Sequence, residues 1–402
     1  MTAAAKPAGR AGPLTDLKVV EMGQLIAGPF CGQLLGDMGA EVIKIEPPGA
    51  GDPMRVWGQA APVWWEVIAR NKKSVSLNLR DPEGQALARR LIGQADVLIE
   101  NFKPGTLESW GLAPGSLRAD HPGLIVARMS GYGQSGPYSD RAGFGGIAEA
   151  MGGWRRLVGD PDRPPSRMGV SIGDSLTASY GAMGVLAALH HRARTGEGQV
   201  IDAALYESVL QVMESLITEY TAVGFSRQRS GPILPGIAPS NVYPCADGEY
   251  MIGANGDGLF RRLAKVMGAP DLADDPRYAT HEARGRHQGE LDALIADWTR
   301  TLTVAELEAL MLAEAIPAGR LYGPADMVED PHFKAREALI PVDNPRWPGL
   351  MMQGVFPKFS ATPGAVHGLA PQSVGEHNAE ILGERLGLSA EALEALRSRG
   401  VI

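Results

Sequence analysis

LKVVEMGQLIAGPFCGQLLGDMGAEVIKIE, residues 17–46, decides the fold. Residues 17–22 form a short β-rich run that stops at Gly23 and gives way to a segment bounded by Gly28 and Pro29. The spacing then predicts a helix over 30–38 and a second strand over 41–46. Strand, helix and strand at this interval make a βαβ unit, which favours a parallel sheet. The rhythm continues outward with strands expected over 74–79, 97–100 and 124–129 and a helix over 82–94. The reading is a doubly wound α/β body, and such bodies bind ligands beyond the carboxyl ends of their strands.

Helices are expected to dominate from Ser175 to about Gly224. At NVYPCADGEYMIGA (241–254) the pattern changes to two short strands around the turn Asp247-Gly248, with helices after it. The chain is too long for one ordinary core. The expected division is a large domain over 1–224, a smaller α+β domain over 225–325, and a C-terminal part, 326–402, returning to the large domain.

Across 402 residues, a hydrophobic content of 44% and a charged content of 21% describe a soluble globular chain. A formal net charge of −8 argues against nucleic acid as a partner, because phosphate neutralisation needs a basic face. Arg70, Lys72 and Lys73, or Arg192 and Arg194, suffice only for a ligand with a few phosphates. Two cysteines, Cys31 and Cys245, make neither a disulfide framework nor a zinc set and indicate a reducing compartment. Residues 1–13 lack an apolar core and read as a flexible leader. The apolar stretch over 176–189 falls short of the roughly 20 residues a membrane span needs. The expectation is therefore a cytoplasmic protein with no membrane partner.

Asp174 is the carboxylate of interest, in Val170-Ser171-Ile172-Gly173-Asp174-Ser175-Leu176. It is read as following a Gly turn and opening a helix. From the pattern alone a helix cap is the stronger reading. The same position also keeps a carboxylate ionised, and carboxylates act as covalent nucleophiles. Other motifs are weaker. Gly23-x4-Gly28-Pro29 is not a dinucleotide fingerprint, and Gly133-Gln134-Ser135-Gly136-Pro137 has proline where a nucleophile elbow needs glycine. The eight histidines form no metal-ligand spacing, so no metal is expected.

Several segments in register resemble the class III CoA-transferase family, the group of formyl-CoA transferase and the carnitine CoA-transferases. They are Ala27-Gly28-Pro29, the run from Leu35 to Glu46, Asn71-Lys72-Lys73-Ser74, and Asp96 to Phe102. Further along come Ser130-Gly131-Tyr132-Gly133-Gln134-Ser135-Gly136-Pro137, Gly173-Asp174-Ser175, Arg194 to Gln199 and Val374-Gly375-Glu376-His377-Asn378. The resemblance implies CoA transfer from an acyl-CoA to a free carboxylic acid through an aspartyl-CoA thioester on Asp174. CoA would be a substrate, with no tightly bound cofactor.

By position, the resemblance places Gln24 and Ala27 near the thiol end of CoA. It places Leu77, Arg80, Asn101, Phe102 and Lys103 along the adenine and phosphates, with Tyr132 nearby. It implies a Rossmann-like large domain built from both chain ends, and an interlocked homodimer. Two departures are informative. The glycine run of formyl-CoA transferase is replaced by Gly231-Pro232-Ile233-Leu234-Pro235-Gly236-Ile237. The proton-transfer histidine of the related α-methylacyl-CoA racemase is matched by Phe144, which cannot move a proton. A racemase-like isomerase and a non-catalytic CoA-ester binder remain as alternatives. The pattern looks most like the branch using succinyl-CoA and dicarboxylic acids, with Arg55, Arg227 and Arg229 as candidates to pair a distal carboxylate.

Overall fold

A computed structural model describes residues 11–402. The leader expected over 1–13 lies, through residue 10, outside the described residues. The chain divides into two compact units. One contains residues up to Trp154 together with Met168–Ser215 and Lys334–Ile402, and the other contains Arg155–Arg167 and Leu216–Phe333.

The first unit is built on β1 (Lys18–Glu21), β2 (Glu41–Glu46), β3 (Lys72–Ser76), β4 (Val97–Glu100), β5 (Ile125–Ser130) and β6 (Val200–Ala204). The strands lie in the order β3-β2-β1-β4-β5-β6, and every neighbouring pair is parallel. The order reverses between β1 and β4. There the connections leave toward opposite faces and open a crevice at the strands' carboxyl ends.

Alternate residues of each strand enter opposite cores, as expected for a parallel sheet covered on both faces. Val20, Ile43, Leu98 and Val126 join one cluster with Leu87 and Leu91 of helix Pro82–Ile92 and Leu393 and Leu396 of helix Ala390–Ser398. Val19, Val42, Val97 and Ile125 join the other, with Leu35 of helix Ala27–Asp37 and Val185 of helix Ile172–Thr195. The large body is therefore built from both ends of the chain. The returning segment also closes the sheet's β3 edge: Asn378 accepts from the Ser76 N–H at 2.9 Å, and the His377 N–H donates to the Ser74 carbonyl at 2.9 Å.

Three local expectations need correction. The first helix starts at Ala27, taking Gly28 and Pro29 into its opening turn. Proline belongs there because the N–H it lacks would be unpaired in any case. Strand β3 lies two residues earlier than the alternation proposed. Finally, β6 lies within the stretch where helices are expected to dominate and no strand is anticipated. The helix before it ends at Gly196, whose φ of 77° stops helical propagation.

In the second unit, β7 (Ser240–Pro244), β8 (Glu249–Gly253) and β9 (Ala318–Arg320) form an antiparallel sheet. Tyr243, Tyr250, Phe260, Leu291 and Ile295 fill its core. Arg284 is fully buried there, held by the carbonyls of Ala238, Tyr278 and Asn255 and by Asp257 at 2.7 Å. In the first unit, β10 (Leu339–Pro341) pairs antiparallel with β11 (Met351–Gln353). No helix among the described residues is long and apolar enough to cross a membrane. Nor, among them, does any group of three or more His, Cys, Asp or Glu side chains form a metal-holding cluster.

Candidate active site

Two loops meet at the crevice, 23–26 after β1 and 101–103 after β4. The Asn101 side chain joins them. Its Oδ1 accepts from the Gln24 N–H at 2.7 Å and its Nδ2 donates to the Gln24 carbonyl at 2.9 Å. Leu25 is held in a left-handed conformation, φ 61°, with its N–H donating to Asp52 Oδ1 at 3.1 Å. A side chain at positive φ carries strain, which persists where surrounding bonds over-determine it.

Those bonds rest on a buried charge cluster. Lys44 Nζ lies 2.9 Å from Glu21, 2.7 Å from Asp52 and 2.8 Å from the Gly23 carbonyl. Lys72 Nζ lies 2.7 Å from the other Glu21 oxygen and 2.6 Å from the Pro29 carbonyl. Arg55 forks onto Glu46 with two bonds of 2.7 Å and lies over the Trp65 ring at 4.0 Å. Burial alone would weaken the charge on Lys44, but Asp52, Glu21 and Glu46 outweigh it and raise its pKa. Burial likewise opposes the Asp52 charge, yet Lys44 and the Met54 and Leu25 N–H groups pull it below the usual carboxylate range. Burial pushes Lys72 down despite Glu21, and Lys44 adds to the fall. Three acids and three bases thus balance one another beneath the crevice.

Above them lies a cavity of about 330 Å³, lined by Gln24, Ala27, Asn101, Phe102, Lys103 and Asp174 among others. A neighbouring pocket of about 540 Å³ shares Gln24 and Phe102 and is lined by Leu77, Arg80 and Trp110. Phe102 meets Trp110 edge to face at 5.0 Å, giving that pocket aromatic walls. Tyr132 lines neither; it packs against Tyr138 at 6.1 Å and Tyr206 at 6.4 Å. Eight of the nine positions singled out in the sequence therefore line two adjoining pockets.

Asp174 is the third residue of helix Ile172–Thr195 and not its cap; Ser171 holds that place, and Gly173 is already helical. The carboxylate sits in the first turn, where the helix dipole favours an anion. It rests against Gly145, the first residue of helix Gly145–Met151: a Cβ on Gly145 would fall 2.3 Å from Asp174 Oδ2. Glycine here lets the carboxylate keep this position, which a Cβ would displace. The loop before it is seated just as closely, since a Cβ on Gly131 would lie 2.6 Å from the Gly143 Cα. That contact holds 141–145 against the end of β5. Arg141, Ser139 and Gly145 also line the cavity, three residues that the sequence pattern does not single out. The signal is the glycine-rich Arg141-Ala142-Gly143-Phe144-Gly145-Gly146, a short loop beyond Gly131-Tyr132-Gly133.

The three arginines offered for a distal carboxylate are engaged elsewhere. Arg55 holds Glu46, Arg227 forks onto Glu219 at 2.8 and 2.9 Å, and Arg229 donates to the carbonyls of Asp160, Pro161 and Arg163.

The profile of CoA-transferase family III matches residues 14–378. The chain belongs to CoA-transferase family III. Within it, the chain is 55% identical to the succinyl-CoA--D-citramalate CoA-transferase of Chloroflexus aurantiacus, over 97% of this chain and 98% of that one. It is 38% identical to the succinate--glutarate CoA-transferase of Agrobacterium fabrum, over 92% and 95% of the two chains. Among solved structures, a CAIB/BAIF family protein from Brucella suis superposes with a TM-score of 0.83 at 38% identity, covering 93% of this chain and all (100%) of that one. This family III member is accordingly a CoA-transferase enzyme acting on carboxylate substrates.

Proposed function

We propose that the enzyme moves CoA from succinyl-CoA to a dicarboxylic acid through a thioester on Asp174. The observation that carries this reading is the Asp174 carboxylate opening into a cavity that shares walls with a second, aromatic-lined pocket. The relatives named for succinyl-CoA, citramalate and glutarate supply the substrate class.

The steps balance without ATP. An Asp174 oxygen attacks the succinyl thioester carbonyl, the C–S bond breaks, and a succinyl–aspartyl anhydride and CoA thiolate result. The thiolate attacks the Asp174 carbonyl, releasing succinate and leaving the aspartyl-CoA thioester. The acceptor carboxylate attacks that thioester and expels the thiolate. The thiolate then takes the acceptor's acyl group and frees Asp174. The CoA thioester consumed and the one formed lie close in energy, so the protein's task is to exclude water and stabilise developing oxyanions on the way through the higher-energy anhydrides. Backbone N–H groups at the start of helix Gly145–Met151 stand beside the carboxylate for that purpose. No resident cofactor is called for.

In this reading the first unit binds CoA, its thiol near Gln24 and Ala27. Phe102 and Leu77 face the adenine, while Arg80 and Lys103 meet phosphates. Neither cation has a carboxylate partner among the described residues. A racemase-like role fits less well, because the hydrophobic Phe144 lines the cavity where a proton carrier would be needed. The cysteine usage and the CoA substrate suit a cytoplasmic enzyme. The test is a panel of labelled acids incubated with succinyl-CoA. Labelled dicarboxylic acids are expected to appear as CoA esters, and transfer confined to monocarboxylic acids would sink the proposal.

We also assign a homodimer. Ile147 is 53% exposed and Met183 57%, on packed neighbouring helices, and none of the residues of helix Leu216–Val223 is buried. Apolar surface of this kind marks association sites. Light scattering on the purified enzyme is expected to give twice the mass of the 42.6 kDa chain; a monomer at micromolar concentration rejects the assignment.

A further inference from the structure

A dicarboxylic substrate brings a second carboxylate into the cavity, and with Arg55 occupied by Glu46 that charge must be met by another cation. Two cations line the cavity with Asp174: Lys103 and Arg141. Lys103 follows Phe102, which also borders the second pocket. Arg141 stands in the loop whose Gly145 abuts the Asp174 carboxylate.

The Arg141 guanidinium has one partner among the described residues, the Tyr138 ring, with Cζ 3.5 Å from the ring centroid. Tyr138 is braced by Tyr132 at 6.1 Å, and Tyr132 by Tyr206 at 6.4 Å. Stacking uses the flat face of a guanidinium and leaves its N–H edges available in the plane, where a carboxylate is bound by paired bonds. The loop backbone is fixed as well, by the Arg141 N–H donating to the Tyr138 carbonyl at 2.9 Å and by the Gly131–Gly143 contact. The cation is thus pre-set, with no acidic partner among the described residues, in the cavity that Asp174 also lines.

We propose that Arg141 determines specificity by binding the distal carboxylate of both the succinyl donor and the acceptor acid. The inference rests on the dicarboxylate reading above and deepens it. Because both acyl groups pass over the same Asp174, one cation serves both half-reactions. Removing it must therefore weaken donor and acceptor together.

The test compares wild type, Arg141→Gln and Arg141→Lys with succinyl-CoA and with butyryl-CoA, a donor of the same length lacking the distal charge. For Arg141→Gln, KM for succinyl-CoA and for the dicarboxylic acceptor should rise in parallel by roughly 10- to 100-fold, the scale of a lost charge-assisted bond. Labelling of Asp174 from butyryl-CoA, read by mass spectrometry, should be unchanged, which also shows that the variant is folded. Arg141→Lys should recover part of the preference. A wild type that does not prefer succinyl-CoA over butyryl-CoA overturns the dicarboxylate reading itself. A wild-type preference that Arg141→Gln retains in full, or a rise in only one of the two KM values, overturns the Arg141 assignment alone.

Discussion

Asp174→Ala should lose CoA exchange by roughly 10^4-fold or more in kcat, the scale on which deleting a group central to covalent catalysis acts. The structure separates this outcome from a loss of folding. Asp174 lies inside the first turn of helix Ile172–Thr195 and Ser171 is the residue flanking it, so no cap is removed. Alanine is the best helix former, and the dipole contribution given up at this half-buried position is at most about 2 kcal/mol. A structural role predicts a small shift in melting temperature with activity largely kept; a nucleophilic role predicts the reverse. Wild-type enzyme mixed with succinyl-CoA alone should show a CoA adduct on the Asp174 peptide, converted to a hydroxamate by hydroxylamine. An Asp174→Ala protein that still exchanges CoA at the wild-type rate would end the covalent mechanism.

The second large effect is on stability. Glu21 is fully buried between Lys44 and Lys72, one oxygen on each. Glu21→Leu leaves two ammonium groups without the acid that separates them. Lys44 keeps Asp52, but Lys72 keeps only the Pro29 carbonyl. Breaking a buried pair from one side costs about 3–5 kcal/mol, because the remaining charge stays desolvated. Urea unfolding followed in the first unit should show that loss, and Glu21→Leu combined with Lys72→Met should recover most of it. The pH dependence has a definite sign. Burial already lowers the Lys72 pKa, and removing Glu21 lowers it further. Between the folded and unfolded values the unfolded chain then binds more protons, so stability rises with pH. The deficit of Glu21→Leu should shrink from neutral pH toward the ordinary lysine pKa; a deficit that grows there contradicts the assignment of charge.

The sheet was legible because β1, β2 and β4 are apolar runs at βαβ spacing, and both faces of a parallel sheet select the same residue types. Strand β6 was not, since Val200-Ile201-Asp202-Ala203-Ala204 is short, carries an acid and runs straight into helix Leu205–Leu210. Only Gly196 and Gly198 marked the break. At the site, Asp174, Asn101 and Phe102 were reached through local motifs. The pattern could not show that Asn101 acts on backbone, because its partner, Gln24, lies 77 positions away in sequence. Nor could it rank the arginines. Whether a guanidinium is free depends on carboxylates brought near by the fold, which is why Arg55 drew attention and Arg141 did not.

The paired bonds between Asn101 and the Gln24 peptide have a consequence for how substrate enters. They tie the two loops of the crevice together, over a bed of buried ion pairs. The opening therefore behaves as a slot of set width. In the proposed reading, the acyl group of a thioester meets a backbone frame that is already pinned, and selection among acyl groups falls to the side chains lining the cavity.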